Sequence, residues 1–224
     1  MTDGILLIDK PAGWTSFDVV AKIRAGIRAD YRAKGEKPTK KQLRVGHAGT
    51  LDPFATGLLV ILKGDACKKA GEFLKLDKAY EATFCLGQTS TTGDPEGELT
   101  QVSDRVPTRS EVEATLSRFV GEITQRPPIY SAIKINGQRA YKLAREGKQF
   151  EVPERPVTVY SLELLDYTYP NITVRAHVGS GTYIRSLGED IGKVLGTGAY
   201  CSVLKRTSID SYQLADATTI ESRS

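Results

Sequence analysis

Short apolar runs alternate with turn-forming residues along the whole chain, and their spacing predicts a mixture of strands and helices. Strands are predicted at residues 5–8, 58–62, 79–86, 157–165, 172–178 and 202–209. Apolar residues at helical spacing predict helices beginning near residues 15, 65, 110 and 184. Because strands and helices interleave irregularly, we expect an α+β fold with a mixed, largely antiparallel sheet flanked by helices.

Capping residues predict where two of the helices begin. Thr15 or Ser16 can cap a helix whose apolar positions are Phe17, Val20, Ile23 and Ile27. Ser110 is the predicted N-cap of a later helix, with Glu113 completing a capping box. Between these helices, residues 93–97 read as a polar loop.

Composition excludes several classes of protein. The 224 residues are 40% hydrophobic and 26% charged, which is ordinary for a globular protein, and no run of some 18 apolar residues predicts a membrane span. The start of the chain does not resemble a secretory signal, so a cytoplasmic location is expected. Three widely spaced cysteines and two histidines lack metal-ligand spacing, so no metal is expected. The net charge of +4 permits a polyanionic partner.

The segment GHAGTLDPFATGLLV, residues 46–60, carries the clearest chemical signal. Its single carboxylate, Asp52, lies in a turn-rich loop directly before the apolar run 58–62. Catalytic groups are often placed in such loops, since the buried strand is a rigid support. An Asp-Pro pair is also a common turn element, so the dipeptide alone leaves both readings open.

The whole segment closely resembles the catalytic motif of the TruB-type family of tRNA pseudouridine synthases. Four further blocks resemble that family in the same order: GILLIDKP at residues 4–11 with Gly13, Thr15 and Ser16, KAYEA at 78–82, GTYIRSL at 181–187 and LKRT at 204–207. The resemblance extends from about residue 4 to about residue 212. It implies the pseudouridine synthase fold and an isomerase that converts the T-loop uridine at tRNA position 55 to pseudouridine.

The resemblance also implies which residues act on the uridine. Asp52 would be the catalytic carboxylate, either attacking C1′ or abstracting the C2′ proton, and these two alternatives stay open. Arg185 would supply the cation that keeps Asp52 ionised, since a guanidinium retains its charge when buried. Tyr80 would stack on the target uracil and help to remove the C5 proton.

Four more residues are implied to bind the substrate. His47 would enter the space that the extruded uridine leaves. Leu204 and Tyr183 would line the base pocket, and Lys10 would support the catalytic loop. The reaction requires no redox agent and no energy donor, so no cofactor is expected.

The resemblance further predicts how the chain is organised. We expect one catalytic domain over residues 1–224, with an RNA-gripping thumb insertion at about 127–156 and without the C-terminal PUA domain of the usual bacterial enzyme. A basic insertion at about 31–42, which the typical bacterial enzyme lacks, precedes the catalytic segment. Candidate contacts to RNA phosphates are Lys134, Arg139, Lys142, Arg145 and Lys148 in the thumb and Lys37, Lys40 and Lys41 in the insertion.

The expected partner is therefore the T-stem-loop of tRNA, bound by a monomer that needs no protein partner. One alternative is the guide-RNA-dependent enzyme of archaeal and eukaryotic particles, which has a C-terminal RNA-binding domain and lacks this thumb. Another is an RNA-binding module without catalysis, which would be expected to have lost Asp52 or Arg185.

Overall fold

The computed structural model describes residues 4–131, 133–135, 137–140, 143, 146 and 150–220, and for residues 134, 135 and 139 the backbone alone. Its strands and helices confirm the predicted α+β class. They form two compact units. The first contains the chain up to Tyr80 and the chain from Lys205 onward, and the second is Glu81–Leu204.

Strands outnumber helices in the described chain. The α-helices are α1 (Ser16–Ala33), α2 (Ala70–Leu74), α3 (Arg109–Ser117) and α4 (Ile184–Leu195), and 3-10 turns cover Gly64–Lys69 and Leu214–Asp216. The strands are β1 (Gly4–Lys10), β2 (Val45–His47), β3 (Thr56–Lys63), β4 (Lys78–Leu86), β5 (Gln88–Ser90), β6 (Leu99–Gln101), β7 (Gly121–Gln125), β8 (Lys134–Ile135), β9 (Gln138–Arg139), β10 (Arg155–Thr168), β11 (Asn171–Val178), β12 (Ala199–Ile209), β13 (Tyr212–Gln213) and β14 (Thr218–Thr219). Strands β4 and β12 each contain residues of both units.

The sheet of the first unit is mixed. Its strand order is β14-β1-β3-β12, with β2 also paired to β3 and β13 to β12. Strand β1 runs antiparallel to β3, with Ile8 opposite Leu59, whereas β14 is parallel to β1 and β12 is parallel to β3. Residues 58–62 of β3 are all 0% exposed, as expected of a strand that is covered on both faces.

Alternate residues of β3 belong to the main apolar cluster of this unit. Leu58, Val60 and Leu62 are buried together with Ala48, Phe73 and Ile209. Full burial stabilises the fold by about 1.5–3 kcal/mol for each large aliphatic side chain. The strand that follows Asp52 is therefore a firmly packed support.

Helix α1 begins at one of the two predicted capping residues. Thr15 Oγ1 accepts a hydrogen bond from the Asp18 N–H at 3.1 Å, and Asp18 Oδ2 accepts one from the Thr15 N–H at 2.8 Å. The prediction that Phe17 lies on the apolar face is wrong, because its side chain is 61% exposed. The buried residues of the first turn are Ser16 and Val19, and Phe17 is rotated by about 100° from Ser16 around the helix axis.

The basic insertion is partly helical. Helix α1 continues to Ala33, so the first three residues of the insertion belong to the helix. The remaining residues, up to the start of β2 at Val45, form turns and irregular chain. Lys37, Lys40 and Lys41 lie in this second part and are exposed.

The second unit contains the strands β12, β4, β11, β10 and β7 in that order. Strand β10 is antiparallel to both β11 and β7, and the strands predicted at residues 157–165 and 172–178 are confirmed as parts of β10 and β11. The predicted polar loop is confirmed, and it lies within a hairpin whose strands β5 and β6 pair with Ser90 opposite Leu99. Residues 93–97 connect the two strands of this hairpin.

Helix α3 does not begin at the predicted cap. Thr108, rather than Ser110, is the N-cap, and its side chain and that of Glu111 form the capping box. The sequence holds two overlapping Ser/Thr-x-x-Glu patterns two residues apart, and the second Glu, Glu113, pairs instead with Arg109 at 2.9 Å. Helix α4 is capped at its C-terminus by Gly196, whose φ of +69° is favourable for glycine.

Part of the predicted thumb falls within the described residues. Strands β8 and β9 pair antiparallel, with Lys134 opposite Arg139. Most of residues 141–149 lie outside the described residues. Among the described residues, no helix has both the length and the apolar composition to cross a membrane.

Candidate active site

Asp52 lies in the loop that connects β2 to β3, residues 48–55, which we call the Asp52 loop. Its side chain is half-buried, and the preceding residue, Leu51, is 3% exposed. The hydroxyl of Ser16 accepts a hydrogen bond from the Leu51 N–H at 2.8 Å and donates one to the Leu51 carbonyl at 3.1 Å. The first residue of α1 therefore fixes the backbone directly before the carboxylate.

The residue after Asp52 is held by Lys10. This lysine is 0% exposed, and its ammonium group donates to the carbonyls of Pro11 at 2.8 Å, Trp14 at 2.7 Å and Pro53 at 3.2 Å. A second bond to the Pro53 carbonyl comes from the Gly13 N–H at 2.8 Å. Lys10 and Gly13 belong to the first of the sequence blocks that resemble the family. That block therefore holds the backbone of the Asp52 loop at Pro53.

Two predicted aromatic site residues also belong to the first unit. His47 is the last residue of β2, where it pairs with Ile61 of β3, and it is half-buried. Tyr80 is an inward-facing residue of β4 and is 8% exposed. Both residues are held on strands rather than on free loops.

Arg185 is buried in the second unit, in the first turn of α4. Its Nη1 donates to Asp94 Oδ2 and to the Thr92 carbonyl, both at 2.9 Å, and its Nη2 donates to the Tyr130 carbonyl at 3.0 Å. The side chains of Arg185 and Asp94 are each only 4% exposed. Because the guanidinium donates hydrogen bonds to three different acceptors, the orientation of its plane is fixed.

Asp94 is itself held in place by its own loop. Its Oδ1 accepts from the Thr92 hydroxyl at 2.6 Å and from the Glu96 N–H at 3.1 Å. The two oxygens of one carboxylate therefore face two different sets of donors. This arrangement explains how an acidic side chain can be buried between β5 and β6 without losing hydrogen bonds.

Glu189 adds a second acidic group one turn along α4 from Arg185. Burial, followed by the charge of Asp190, raises the pKa of Glu189 to about 7, against the opposing effect of Arg185. Gly93 lies next to this carboxyl group, with a φ of +73° that favours glycine, and a Cβ there would lie 2.6 Å from Glu189 Oε1. The cluster around Arg185 therefore contains a carboxyl group that titrates near neutral pH.

Tyr183 is fixed through its backbone and its ring. The amide side chain of Gln125 accepts from the Tyr183 N–H at 2.8 Å and donates to the Tyr183 carbonyl at 3.0 Å. The guanidinium carbon of Arg155 lies 5.4 Å from the centroid of the Tyr183 ring, a distance typical of a cation–π contact. Arg155 also donates to the Gly181 carbonyl.

The remaining predicted residues are spread along the chain. Leu204 is 6% exposed in β12, and Lys41 forms an ion pair with Asp65 at 3.1 Å. Arg44 and Lys68 bind the same carboxylate at 3.3 Å and 3.2 Å. For Lys134 and Arg139 the structure gives the strand backbone only, and Lys142, Arg145 and Lys148 lie outside the described residues.

Sequence comparison identifies the family. The model of the "TruB family pseudouridylate synthase (N terminal domain)" matches residues 37–184. The chain belongs to the TruB family. It is 43% identical over 224 residues to the tRNA pseudouridine synthase B of Burkholderia lata, covering 100% of this chain and 66% of that protein. It is likewise 43% identical over 218 residues to the enzyme of the same name from Pseudomonas putida, covering 97% of this chain and 67% of that protein.

Solved structures give the same family fold. This TruB-family chain matches a chain of a Cbf5-Nop10-Gar1 complex with a TM-score of 0.72 and 29% identity, covering 97% of this chain and 52% of that one. A structure of an H/ACA RNP bound to a substrate RNA containing 2′-deoxyuridine matches with a TM-score of 0.69 and 27% identity, covering 97% and 51%. The chain thus spans about two thirds of the curated relatives it matches and about half of these solved chains.

Three residues that hold Arg185 or Tyr183 in place were not predicted from the TruB resemblance: Asp94, Gln125 and Arg155. Asp94 precedes a proline in a polar stretch, which is also how a turn residue looks. Gln125 and Arg155 reach Tyr183 and Gly181 only through tertiary structure, from positions 58 and 26 residues earlier along the chain. No local pattern marks any of the three as a site residue.

Proposed function

We propose that this chain isomerises uridine 55 in the T-loop of tRNA to pseudouridine, with Asp52 as the catalytic carboxylate. One observation carries the proposal: the segment that matches the family's catalytic motif forms a loop with its backbone tied on both sides of Asp52, by Ser16 to Leu51 and by Lys10 to Pro53. A carboxylate that must act at one atom of a ribose benefits from such a fixed backbone.

The reaction breaks the bond between ribose C1′ and uracil N1 and forms a bond between C1′ and C5. The base turns between these steps, N1 gains a proton and C5 loses one, so substrate and product are isomers. Asp52 either bonds to C1′ and is later displaced, or removes and later returns the C2′ proton. Both routes need an ionised carboxylate at the start.

Arg185 is proposed to supply the cation that favours that ionised state. Asp94, Thr92 and Tyr130 hold its guanidinium, which gives it a fixed direction. Its pairing with Asp52 stays a prediction. Tyr80 is proposed to stack on the uracil and to help remove the C5 proton, while Leu204 and Tyr183 line the base pocket.

Base extrusion explains the proposed role of His47. A uridine inside a folded T-loop must leave its stack before its C1′ can be reached, and a flat ring can take the vacated place. The exposed Lys37, Lys40 and Lys41 of the insertion are proposed to contact phosphates, and the thumb lysines and arginines are proposed to do the same. We further propose that the protein acts in the cytoplasm as a monomer on tRNA alone.

The alternative of a guide-RNA-dependent enzyme is favoured by the solved relatives, since those chains are found with Nop10, Gar1 and substrate RNA. The identity to curated tRNA pseudouridine synthases B is higher, at 43% over the whole chain, and favours the stand-alone enzyme. The two candidates differ in one requirement. The stand-alone enzyme modifies a bare tRNA transcript without any other macromolecule.

The test uses the purified protein, an unmodified tRNA transcript and chemical mapping of pseudouridine. Wild type should modify uridine 55, and Asp52→Asn should bind the transcript equally well without modifying it. Asp30→Asn, which removes an exposed carboxylate of α1, is the control and should retain full activity. Equal product from wild type and Asp52→Asn would reject the role of Asp52. Absence of product from wild type would favour the guide-dependent or non-catalytic alternative.

A further inference from the structure

Arg206 is among the largest fully buried side chains of the described chain, and none of the roles above involves it. It lies in β12 and is 1% exposed. A buried guanidinium is costly to desolvate, so its hydrogen bonds must be satisfied by the protein. The hydrogen-bond acceptors of the Arg206 guanidinium therefore indicate its role in the protein.

Those partners lie on both sides of Asp52 along the chain, two of them in the Asp52 loop and one in β3. Arg206 Nη2 donates to the Gly49 carbonyl at 3.2 Å and Nη1 to the Thr50 carbonyl at 3.4 Å. Its Nε donates to the Leu58 carbonyl, two residues into β3, at 2.8 Å. Gly49 and Thr50 precede Asp52 and Leu58 follows it, so one planar group links the backbone on both sides of Asp52.

The strand pairing places Arg206 at this position. Strand β12 runs parallel to β3 with Arg206 opposite Gly57. Gly57 has a φ of +99°, and a Cβ there would lie 2.3 Å from the Arg206 carbonyl oxygen. A glycine is therefore required for β12 to approach β3 closely enough for the guanidinium to reach the loop.

Lysine could not replace this set of bonds. Two of the three carbonyls belong to the Asp52 loop and the third belongs to β3 on the other side of Asp52, and the guanidinium meets them with three separate nitrogens in one plane. An ammonium group presents a single nitrogen on a flexible stem, which can approach one side but not fix the distance between both. The guanidinium therefore fixes the distance between the backbone segments before and after Asp52, a role that a positive charge alone would not fill.

We propose that Arg206 is a positioning residue for Asp52, holding the backbone segments before and after Asp52 at the separation that directs the carboxylate at the ribose. This inference rests on the proposed catalytic role of Asp52. Arg206 does not act on the substrate itself. Its loss should therefore slow the chemical step while RNA binding stays as it is.

The test compares Arg206→Lys and Arg206→Gln with wild type in single-turnover pseudouridine formation at saturating protein, alongside the Kd for tRNA. Both variants should react about 10²-fold more slowly, the size expected for a small misplacement of a reacting group, with an unchanged Kd. Val112→Ala is the control for lost stability alone. Val112 is 0% exposed in α3 of the other unit, so this variant should lower the thermal midpoint and leave the rate unchanged below that midpoint.

A rate for both Arg206 variants equal to that of Val112→Ala would overturn the proposal. Equal loss of rate and of tRNA affinity would also overturn it, as would failure of both variants to fold, because Arg206 would then be a structural residue of the sheet. Asp52→Asn is run in the same assay. If Asp52→Asn is inactive and the Arg206 variants are normal, the positioning role alone fails. If Asp52→Asn reacts normally, the proposed function of Asp52 fails.

Discussion

Arg185 and Asp94 form an ion pair with an Nη1 to Oδ2 distance of 2.9 Å, and each side chain is 4% exposed. Asp94→Ala should destabilise the protein by about 3–5 kcal/mol, because the guanidinium stays buried without this partner. It should also slow pseudouridine formation, since the guanidinium loses the contact that fixes its direction. Urea unfolding measures the first effect and single-turnover kinetics the second.

The exposed pair of Arg175 with Glu163 provides the matched control. Its side chains are 50% and 63% exposed, so Glu163→Gln should cost no more than about 1 kcal/mol and leave the reaction rate unchanged. If Asp94→Ala and Glu163→Gln have the same stability and rate, the buried pair has no special role.

Glu189 predicts a pH dependence of stability. Its pKa is about 7 in the folded protein against 4.5 for the free side chain, so the folded state binds the proton more tightly than the unfolded state does. The stability that this group contributes is therefore complete below pH 4.5 and is lost as the pH rises through about 7. Glu189→Gln should remove this loss and make the protein more stable at pH 8, by an amount on the order of 3 kcal/mol or less.

Urea midpoints of wild type and Glu189→Gln at pH 5 and pH 8 check this prediction. Glu113→Gln, which removes an exposed carboxylate of α3, serves as the charge control. A wild-type midpoint that rises between pH 5 and pH 8, with Glu189→Gln following the same course, would contradict the prediction.

The basic insertion predicts a salt effect. Replacing Lys37, Lys40 and Lys41 together with alanine should weaken tRNA binding. It should also make the slope of the logarithm of the binding constant against the logarithm of salt concentration shallower by about 2–3. Each phosphate contact that forms releases about one counterion from the RNA, so the loss of three contacts reduces the number released on binding by about three. Binding isotherms at several salt concentrations measure the slope. Replacement of the exposed Arg109 of α3, Arg118 directly after α3 and Lys193 of α4 removes the same charge and should leave the slope unchanged. Equal slopes in both triple variants would mean that only net charge matters.

His47 predicts a difference between substrates. His47→Ala should slow the modification of folded tRNA more than that of an unstructured oligonucleotide with the same sequence, because only the folded T-loop requires extrusion of the base. His177 is the comparison residue, since it stacks on Tyr160 at 4.9 Å between ring centroids in β10 and β11. His177→Ala should affect both substrates alike, and the same pattern in His47→Ala would leave His47 a structural residue.

The strands were predictable wherever burial follows a simple period. Residues 58–62 form a continuous apolar run and Ala79 to Leu86 alternate, so β3 and β4 could be located without a structure. The cap of α3 could not, because the Thr108 and Ser110 patterns overlap and only the helix itself selects between them. Phe17 was misplaced because its hydrophobicity favours burial while the inward positions of that turn belong to Ser16 and Val19.

The residues of the candidate site likewise fall into those that the sequence could predict and those that it could not. The resemblance to the family indicated Asp52, Arg185 and Lys10, which lie in short motifs of unusual composition. Asp94 could not be found because Asp94-Pro95 has the same local pattern as any turn, and its role depends on an arginine 91 residues further along the chain. Side chains whose function is to hold another group are defined by tertiary contacts, and a single sequence does not show those contacts.

The large sequence separation between Arg206 and the loop that it holds has a consequence for biosynthesis. The Arg206 bond to the Leu58 carbonyl joins residues 148 positions apart, and the bond to Gly49 joins residues 157 positions apart. During translation the Asp52 motif leaves the ribosome long before β12 exists, and contacts of such separation close late. A nascent or prematurely terminated chain that lacks β12 therefore carries the motif without the clamp, so enzymatic competence should arrive only with the last strands of the fold.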